Sequence, residues 1–160
     1  ITLFYNDYNT YMEVEDLCTF VRYINEGEEA NICGGIGMQS HLDVTYPTVT
    51  YFGNALETFL NTGLEVQITE LDVTTTGNDS TKTDQDQADY IQALMEKIIE
   101  VNESRDRTVN PKGVTGITLW GFYDSCSWRS DSKPLLFGSG ITKPKLSYYS
   151  FLEAASSASN

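Results

Sequence analysis

Gly63-Leu64-Glu65-Val66-Gln67-Ile68-Thr69-Glu70-Leu71-Asp72-Val73 alternates apolar and polar side chains behind a glycine. Period-two alternation marks a half-buried strand, and residues 64–71 are read as one. Leu64, Val66, Ile68, Glu70 and Asp72 share one parity, which predicts two carboxylates in line with an apolar face at the strand's C-terminal end. Carboxylates placed there cost desolvation energy unless partners are supplied. The stretch is therefore where chemistry is to be sought.

The flanking patterns repeat a strand–helix rhythm. Upstream, Pro47 opens a helix with Val49, Phe52, Leu56 and Phe59 on one face and Gly63 as its stop. Before it, Gly34-Gly35-Ile36-Gly37-Met38-Gln39-Ser40-His41 reads as a strand whose glycines imply that another group crowds the backbone. Val14, Leu17, Phe20, Val21 and Ile24 make an amphipathic helix that ends near Gly27, and residues 2–5 form a first strand running into Asn6-Asp7-Tyr8-Asn9. Downstream, a polar loop at 74–83 precedes the strongest helix, 85–102, with Ala88, Ile91, Leu94, Met95, Ile98 and Val101 as its stripe. A strand at 114–122, a long irregular stretch at 124–142 holding Trp128 and Arg129, and a helix at 144–155 complete one domain, 1–155, followed by a Ser/Ala-rich tail at 156–160. Irregular stretches of that length inside a compact domain are usually functional or disordered, and a tryptophan favours function.

Four strand–helix units in succession predict a parallel sheet, because each crossover returns the chain to the same end. Four strands do not close a barrel. The sheet is either an open doubly wound one or half of an eight-stranded (β/α)8 barrel whose other half precedes Ile1. No G-x-G-x-x-G follows the first strand, which removes the best support for the open nucleotide-binding form. The start at Ile1, with no initiator Met and no leader pattern, carries the expectation of a chain cut from a longer one.

Composition narrows the partners. With 10 Lys+Arg against 23 Asp+Glu the formal charge is −13, so nucleic acid and anionic membrane surfaces are poor partners. No apolar run is long enough for a membrane span. The aromatic content (Tyr 10, Phe 7, Trp 2) argues against a disordered segment. Cys18, Cys33 and Cys126 are an odd count without C-x-x-C spacing and define neither a disulfide framework nor a zinc site.

The polar residues that stand out fall at the C-terminal ends of the expected strands: Asn6 to Asn9, Gln39 with His41, Glu70 with Asp72, and Trp120. Parallel α/β barrels place their active sites at that rim. Taken singly, Glu70 fits a catalytic carboxylate or a structural ion-pair partner, and His41, the chain's one histidine, fits a hydrogen-bonded core residue as well as a catalytic one. Asp72 suits holding the imidazole tautomer. Trp120 fits the core, Trp128 fits an exposed platform for apolar faces, and Tyr8 fits either. No G-x-S-x-G elbow accompanies His41, and metal-ligand spacing is absent.

The residues 63–73 resemble, position by position, the pattern around the nucleophile of glycoside hydrolase family 10, the endo-β-1,4-xylanases. Further pieces agree in order: Leu3-Phe4-Tyr5-Asn6-Asp7-Tyr8-Asn9, Gly35-Ile36-Gly37-Met38-Gln39-Ser40-His41, Thr118-Leu119-Trp120-Gly121-Phe122-Tyr123-Asp124, Ser127-Trp128-Arg129, Pro134-Leu135-Leu136-Phe137, and Lys143-Pro144-Lys145-Leu146-Ser147-Tyr148-Tyr149. The resemblance implies a (β/α)8 barrel of which this chain supplies strands five to eight. It implies Glu70 as nucleophile, His41 and Asp72 as the pair that orients and tunes it, and Gln39 as a sugar contact. Trp120 and Trp128 become glycone-side walls, and Asn6, Tyr8 and Asn9 line the aglycone side. The family's acid/base glutamate has no counterpart here. The expectation is thus a secreted endo-xylanase acting on xylan and xylo-oligosaccharides without a cofactor, active only with its missing N-terminal half, the alternative being a non-catalytic carbohydrate-binding or scaffold half-barrel.

Overall fold

A computed structural model describes residues 1–157. Five parallel strand segments, β1 (Phe4–Asp7), β2 (Gly35–Met38), β3 (His41–Asp43), β4 (Glu65–Thr74) and β5 (Val114–Leu119), alternate with four helices. The helices are α1 (Val14–Asn25), α2 (Val49–Leu60), α3 (Asp84–Ser104) and α4 (Leu146–Ser157). The sheet runs β1-β2-β4-β5, with β3 continuing β2 along the upper part of β4. The single strand expected at 34–41 is split because Ser40 adopts a left-handed conformation (φ 66), which re-aims the chain just before His41. Of the expected tail, Ser156 and Ser157 close α4, and 158–160 lie outside the described residues.

One face of the sheet is covered by helices. Ile36, Met38, Leu42, Val66, Ile68, Leu71 and Val73 pack on Leu17, Val21, Phe52, Leu56, Phe59, Ile91, Leu94 and Ile98, each nearly excluded from solvent. The stripes read on α2 and α3 bury, but on α1 Phe20 stays exposed, and on α4 the expected stripe of Leu146, Tyr149 and Leu152 is exposed while Ser147 and Ala154 face inward. The opposite face carries Phe4, Asn6, Glu65, Gln67, Thr69 and Thr115, tied by cross-strand bonds such as Gln67 Nε2 to Thr115 Oγ1 (3.1 Å) and Thr115 Oγ1 to Glu65 Oε1 (2.6 Å).

The single-parity reading of β4 is corrected here. Between Ile68 and Leu71 three β4 steps oppose two steps of β5, from Ile117 to Leu119. Against β2 and β3 the offset is again one residue, since Met38 pairs with Ile68 but His41 pairs with Asp72. This bulge flips the alternation. Leu71 and Val73 thereby join Val66 and Ile68 against the helices, while Glu70 and Asp72 turn to the opposite face. The carboxylates do not continue the apolar face. They turn to the polar face, where Asn6 and His41 partner Glu70 and Trp128 and Arg129 partner Asp72.

Two buried polar side chains anchor the segments that carry the rim. Gln87 on α3 donates to Val73 O (2.7 Å) and Lys133 O (2.9 Å) and accepts from Ser147 Oγ (3.1 Å), joining β4, the loop after β5 and α4. Asp43 accepts from the N–H of Thr45 (3.0 Å) and of Asn78 (3.3 Å) and from the hydroxyls of Thr45 and Thr74. Burial pushes the Asp43 carboxyl up, yet these donors outweigh it and leave it below the usual carboxylate range. Cys18, Cys33 and Cys126 are free thiols.

Candidate functional site

The strand register assembles the site. Asn6 on β1 lies beside Gly37 on β2, which lies beside Gln67 on β4. Because Gly37 has no side chain, Asn6 passes over it: a Cβ there would stand 2.5 Å from Asn6 Oδ1. The amide thus reaches β4, where Nδ2 donates to Glu70 Oε1 (2.9 Å) and Oδ1 accepts from Thr69 Oγ1 (2.5 Å). Gly35 opens the same space for the Phe4 ring. The glycine run read as a crowded backbone is crowded by these two side chains.

The other Glu70 oxygen faces His41, with Oε2 3.3 Å from Nε2. Glu70 is held at both oxygens, and its own N–H is fixed by Gln39 O (3.0 Å). Across the ring, His41 Nδ1 lies 3.1 Å from Asp72 Oδ2. That approach is off the hydrogen-bonding direction, and Nδ1 has no aligned partner. Asp72, with its side chain fully buried, is instead held at both oxygens by the loop after β5: Trp128 Nε1 donates to Oδ2 (2.9 Å) and Arg129 to Oδ1 (2.8 Å). Arg129 also donates to Leu42 O (3.1 Å) and Thr74 Oγ1 (3.2 Å). The ring thus sits between two carboxylates, with Nε2 toward Glu70 and Nδ1 toward Asp72.

Aromatic rings surround this pair. Trp128 and Trp120 stand edge-on to His41 at 5.0 Å and 6.3 Å between ring centroids, and Tyr8 lies tilted to it at 6.0 Å. Tyr8, Trp120 and Trp128 are 52%, 45% and 63% exposed, so Trp120 is a rim residue rather than the core residue its strand alone suggested. Flat, exposed rings around a carboxylate suit the C–H faces of a sugar. Gln39 meets Glu70 through its backbone. Asn9, at φ 50, turns its side chain to accept from the Tyr11 hydroxyl (2.9 Å), supporting the loop that carries Tyr8.

Sequence reasoning passed over Thr69, Arg129 as a partner of Asp72, and Asp43. For Arg129 a signal existed, its place beside Trp128. For Thr69 there was none, because its contact depends on the bulge.

The family model for glycosyl hydrolase family 10 matches residues 1–154. The chain belongs to that family. It is 43% identical over 145 residues to endo-1,4-beta-xylanase A of Butyrivibrio fibrisolvens, covering 90% of this chain and 32% of the relative. The bifunctional endo-1,4-beta-xylanase XylA of Ruminococcus flavefaciens is 39% identical over 148 residues, covering 91% and 14%. Among solved structures, the CBM22-1–GH10 modules of Clostridium thermocellum endo-1,4-beta-D-xylanase 10B, complexed with xylohexaose, superpose with TM-score 0.81 at 30% identity over 96% of this chain and 29% of that one. A thermostable mutant of the xylanase Xyn10A from Cellvibrio japonicus gives 0.79 at 28% identity, over 96% of this chain and 49% of that one. The chain therefore spans a third or less of those two curated relatives and about half of the Cellvibrio chain. Within family 10 its fold is part of a (β/α)8 barrel, with β1 and β5 as open edges.

Proposed function

We propose that this chain is the nucleophile-bearing half of a retaining endo-β-1,4-xylanase, with Glu70 attacking and a second half of the barrel supplying the acid. The carrying observation is the state of Glu70: partnered at each oxygen by Asn6 and His41, 14% exposed at its side chain, and ringed by Tyr8, Trp120 and Trp128. Held this way, a Glu70 oxygen bonds to the anomeric carbon as the bond from that carbon to the leaving oxygen breaks. The leaving oxygen takes a proton from the acid, and water later releases the sugar from Glu70 with retained configuration. His41 and Asn6 fix the carboxylate so that little orientation is left to be lost at the transition state.

Retention needs a second carboxyl roughly 5 Å from the first. Among the described residues the other carboxylate of the cluster is Asp72, fully buried beneath the ring with Trp128 on one oxygen and Arg129 on the other. It does not reach the open side of Glu70 where a leaving oxygen would stand. A general acid contributes about 10²–10⁴ in rate, so the chain alone is inactive on xylan. Exposed apolar side chains at both sheet edges support a covering half: Leu3, Phe20 and Tyr23 beside β1, and Phe122, Leu146 and Tyr149 beside β5 and α4. The action is extracellular, since a polymer such as xylan does not enter a cell.

The test compares this chain alone with the chain joined to the first half of the Butyrivibrio relative's catalytic domain, both on xylan. Expected are no turnover alone, turnover when joined, and loss of turnover in joined Glu70→Ala. Xylan hydrolysis by the chain alone, or undiminished hydrolysis by joined Glu70→Ala, overturns the assignment. Xylo-oligosaccharide binding unaffected by Glu70→Ala with no turnover in any form would instead make it a binding module. Paired xylo- and cello-oligosaccharides decide the preferred sugar.

A further inference from the structure

Thr69 and Glu70 are neighbours in β4, and in a regular strand their side chains would point to opposite faces. The bulge between Ile68 and Leu71 sets both on the open face of the sheet. One side-chain amide then bridges them. Asn6 Oδ1 meets Thr69 Oγ1 at 2.5 Å, and Asn6 Nδ2 meets Glu70 Oε1 at 2.9 Å. Among the described residues Thr69 Oγ1 is the one hydrogen-bond partner of Oδ1, and the strand beneath that oxygen presents Gly37, which has no side chain to offer.

The two ends of the amide are held by groups of different kinds. A carboxylate only accepts, so Glu70, attacking as a carboxylate, draws Nδ2 toward itself by its charge. The Thr69 hydroxyl donates to Oδ1 and stays neutral through the whole reaction. Once a Glu70 oxygen is bonded to the anomeric carbon, Glu70 is a neutral ester and the charge that oriented the amide is gone. The hydroxyl then remains to keep Nδ2, rather than Oδ1, toward Glu70. In the second step water bonds to the anomeric carbon as the bond from that carbon to Glu70 breaks, leaving its electron pair on Glu70. The water proton passes to the carboxylate of the other half. Negative charge thus returns to Glu70, where an N–H already in place stabilises it and an amide oxygen in that position would oppose it.

We infer that Thr69 is a positioning residue for release of the sugar: through Asn6 it keeps a hydrogen-bond donor on Glu70 while Glu70 carries the sugar and no charge. The inference rests on the xylanase reading and divides the orienting of Asn6 between the two steps. The charge of Glu70 orients the amide for attack, and the Thr69 hydroxyl orients it for release.

The experiment uses the chain joined to the first half of the Butyrivibrio relative's catalytic domain, with an aryl xylobioside whose phenolate leaves readily, so that breakdown of the ester sets kcat. Thr69→Val keeps the side-chain shape and the strand preference and removes the hydroxyl. It should lower kcat about two- to tenfold, the range of one neutral hydrogen bond. KM should fall by the same factor and kcat/KM stay at the parental value, with a burst of phenolate stoichiometric with enzyme. Thr69→Ser should restore the parental kcat. In the chain alone, Glu70→Gln stands for the neutral ester. Its Asn6 side-chain amide should keep the proton shift of a bonded group, and adding Thr69→Val should move that shift to the free-amide value. Parental kinetics in Thr69→Val, an equal fall in kcat and kcat/KM, a loss that serine does not restore, or an Asn6 signal indifferent to Thr69→Val overturns the role of Thr69 and spares the xylanase reading. Absence of phenolate release by the joined parent overturns both.

Discussion

Gly37→Ala isolates the contact on which the Glu70 geometry depends. The new Cβ would stand 2.5 Å from Asn6 Oδ1 and 3.1 Å from Asn6 Cβ and Cγ. The amide cannot remain over the strand. Two bonds go with it: Asn6 to Glu70, of the charged kind worth about 1.5–3 kcal/mol, and Thr69 to Asn6, worth about 0.5–1.5 kcal/mol. Asn6 is exposed, so water recovers part of this, and the alanine restricts the unfolded chain by about 0.4–1 kcal/mol in the opposite sense. The net expectation is about 1–2 kcal/mol lost in urea denaturation. For turnover of the joined enzyme the loss should be larger, about 10²-fold, because a Glu70 displaced by an ångström is a misaligned nucleophile. The decisive form is a cycle with Asn6→Ala. If the clash acts through the amide, Gly37→Ala adds little once Asn6 is truncated, needing only a few tenths of an ångström of give at the remaining Cβ. Full additivity of the two substitutions would refute the crossing as the reason for the glycine.

Arg129→Met leaves the buried Asp72 carboxylate with Trp128 as its remaining donor, and should cost about 3–5 kcal/mol in urea denaturation, with a change in tryptophan fluorescence as the Trp128 loop loosens. Lys145→Met strands Asp124, whose carboxyl burial already pushes up while burial pushes the Lys145 amine down; loss of that 3.0 Å pair should cost a similar amount. Asp43→Asn removes acceptor capacity from the turn below Tyr46 and should cost about 1–3 kcal/mol at neutral pH. Because the folded Asp43 carboxyl is held below its usual range, its contribution is present above the unfolded value and lost as pH falls through the folded one. The stability gap between the parent chain and Asp43→Asn should therefore shrink on acidification, and a gap constant down to acid unfolding would contradict the ionic role.

Helical stripes such as Ile91, Leu94 and Ile98 were readable because a helix repeats its buried face every three or four residues whatever it packs on. The rim position of Asn6, His41, Glu70 and Trp120 was readable for a similar reason, since a parallel strand–helix repeat sends every strand's C-terminal end the same way. Glycines 35 and 37 announced a close approach without saying what approaches. Alternation failed at Thr69–Glu70, where one extra residue reverses the faces, and no local pattern records which residue a neighbouring strand will skip.

What this sequence determined by itself was the parallel α/β class, the family and the residues that gather at one end of the sheet, because periodicity and motif are local and survive without neighbours. Tertiary structure alone decided that Glu70 faces Asn6 and His41, that Asp72 belongs to Trp128 and Arg129, and that Thr69 holds the Asn6 amide. Those contacts join residues far apart in the chain, and their geometry comes from strand register and loop closure, which are properties of the packed sheet.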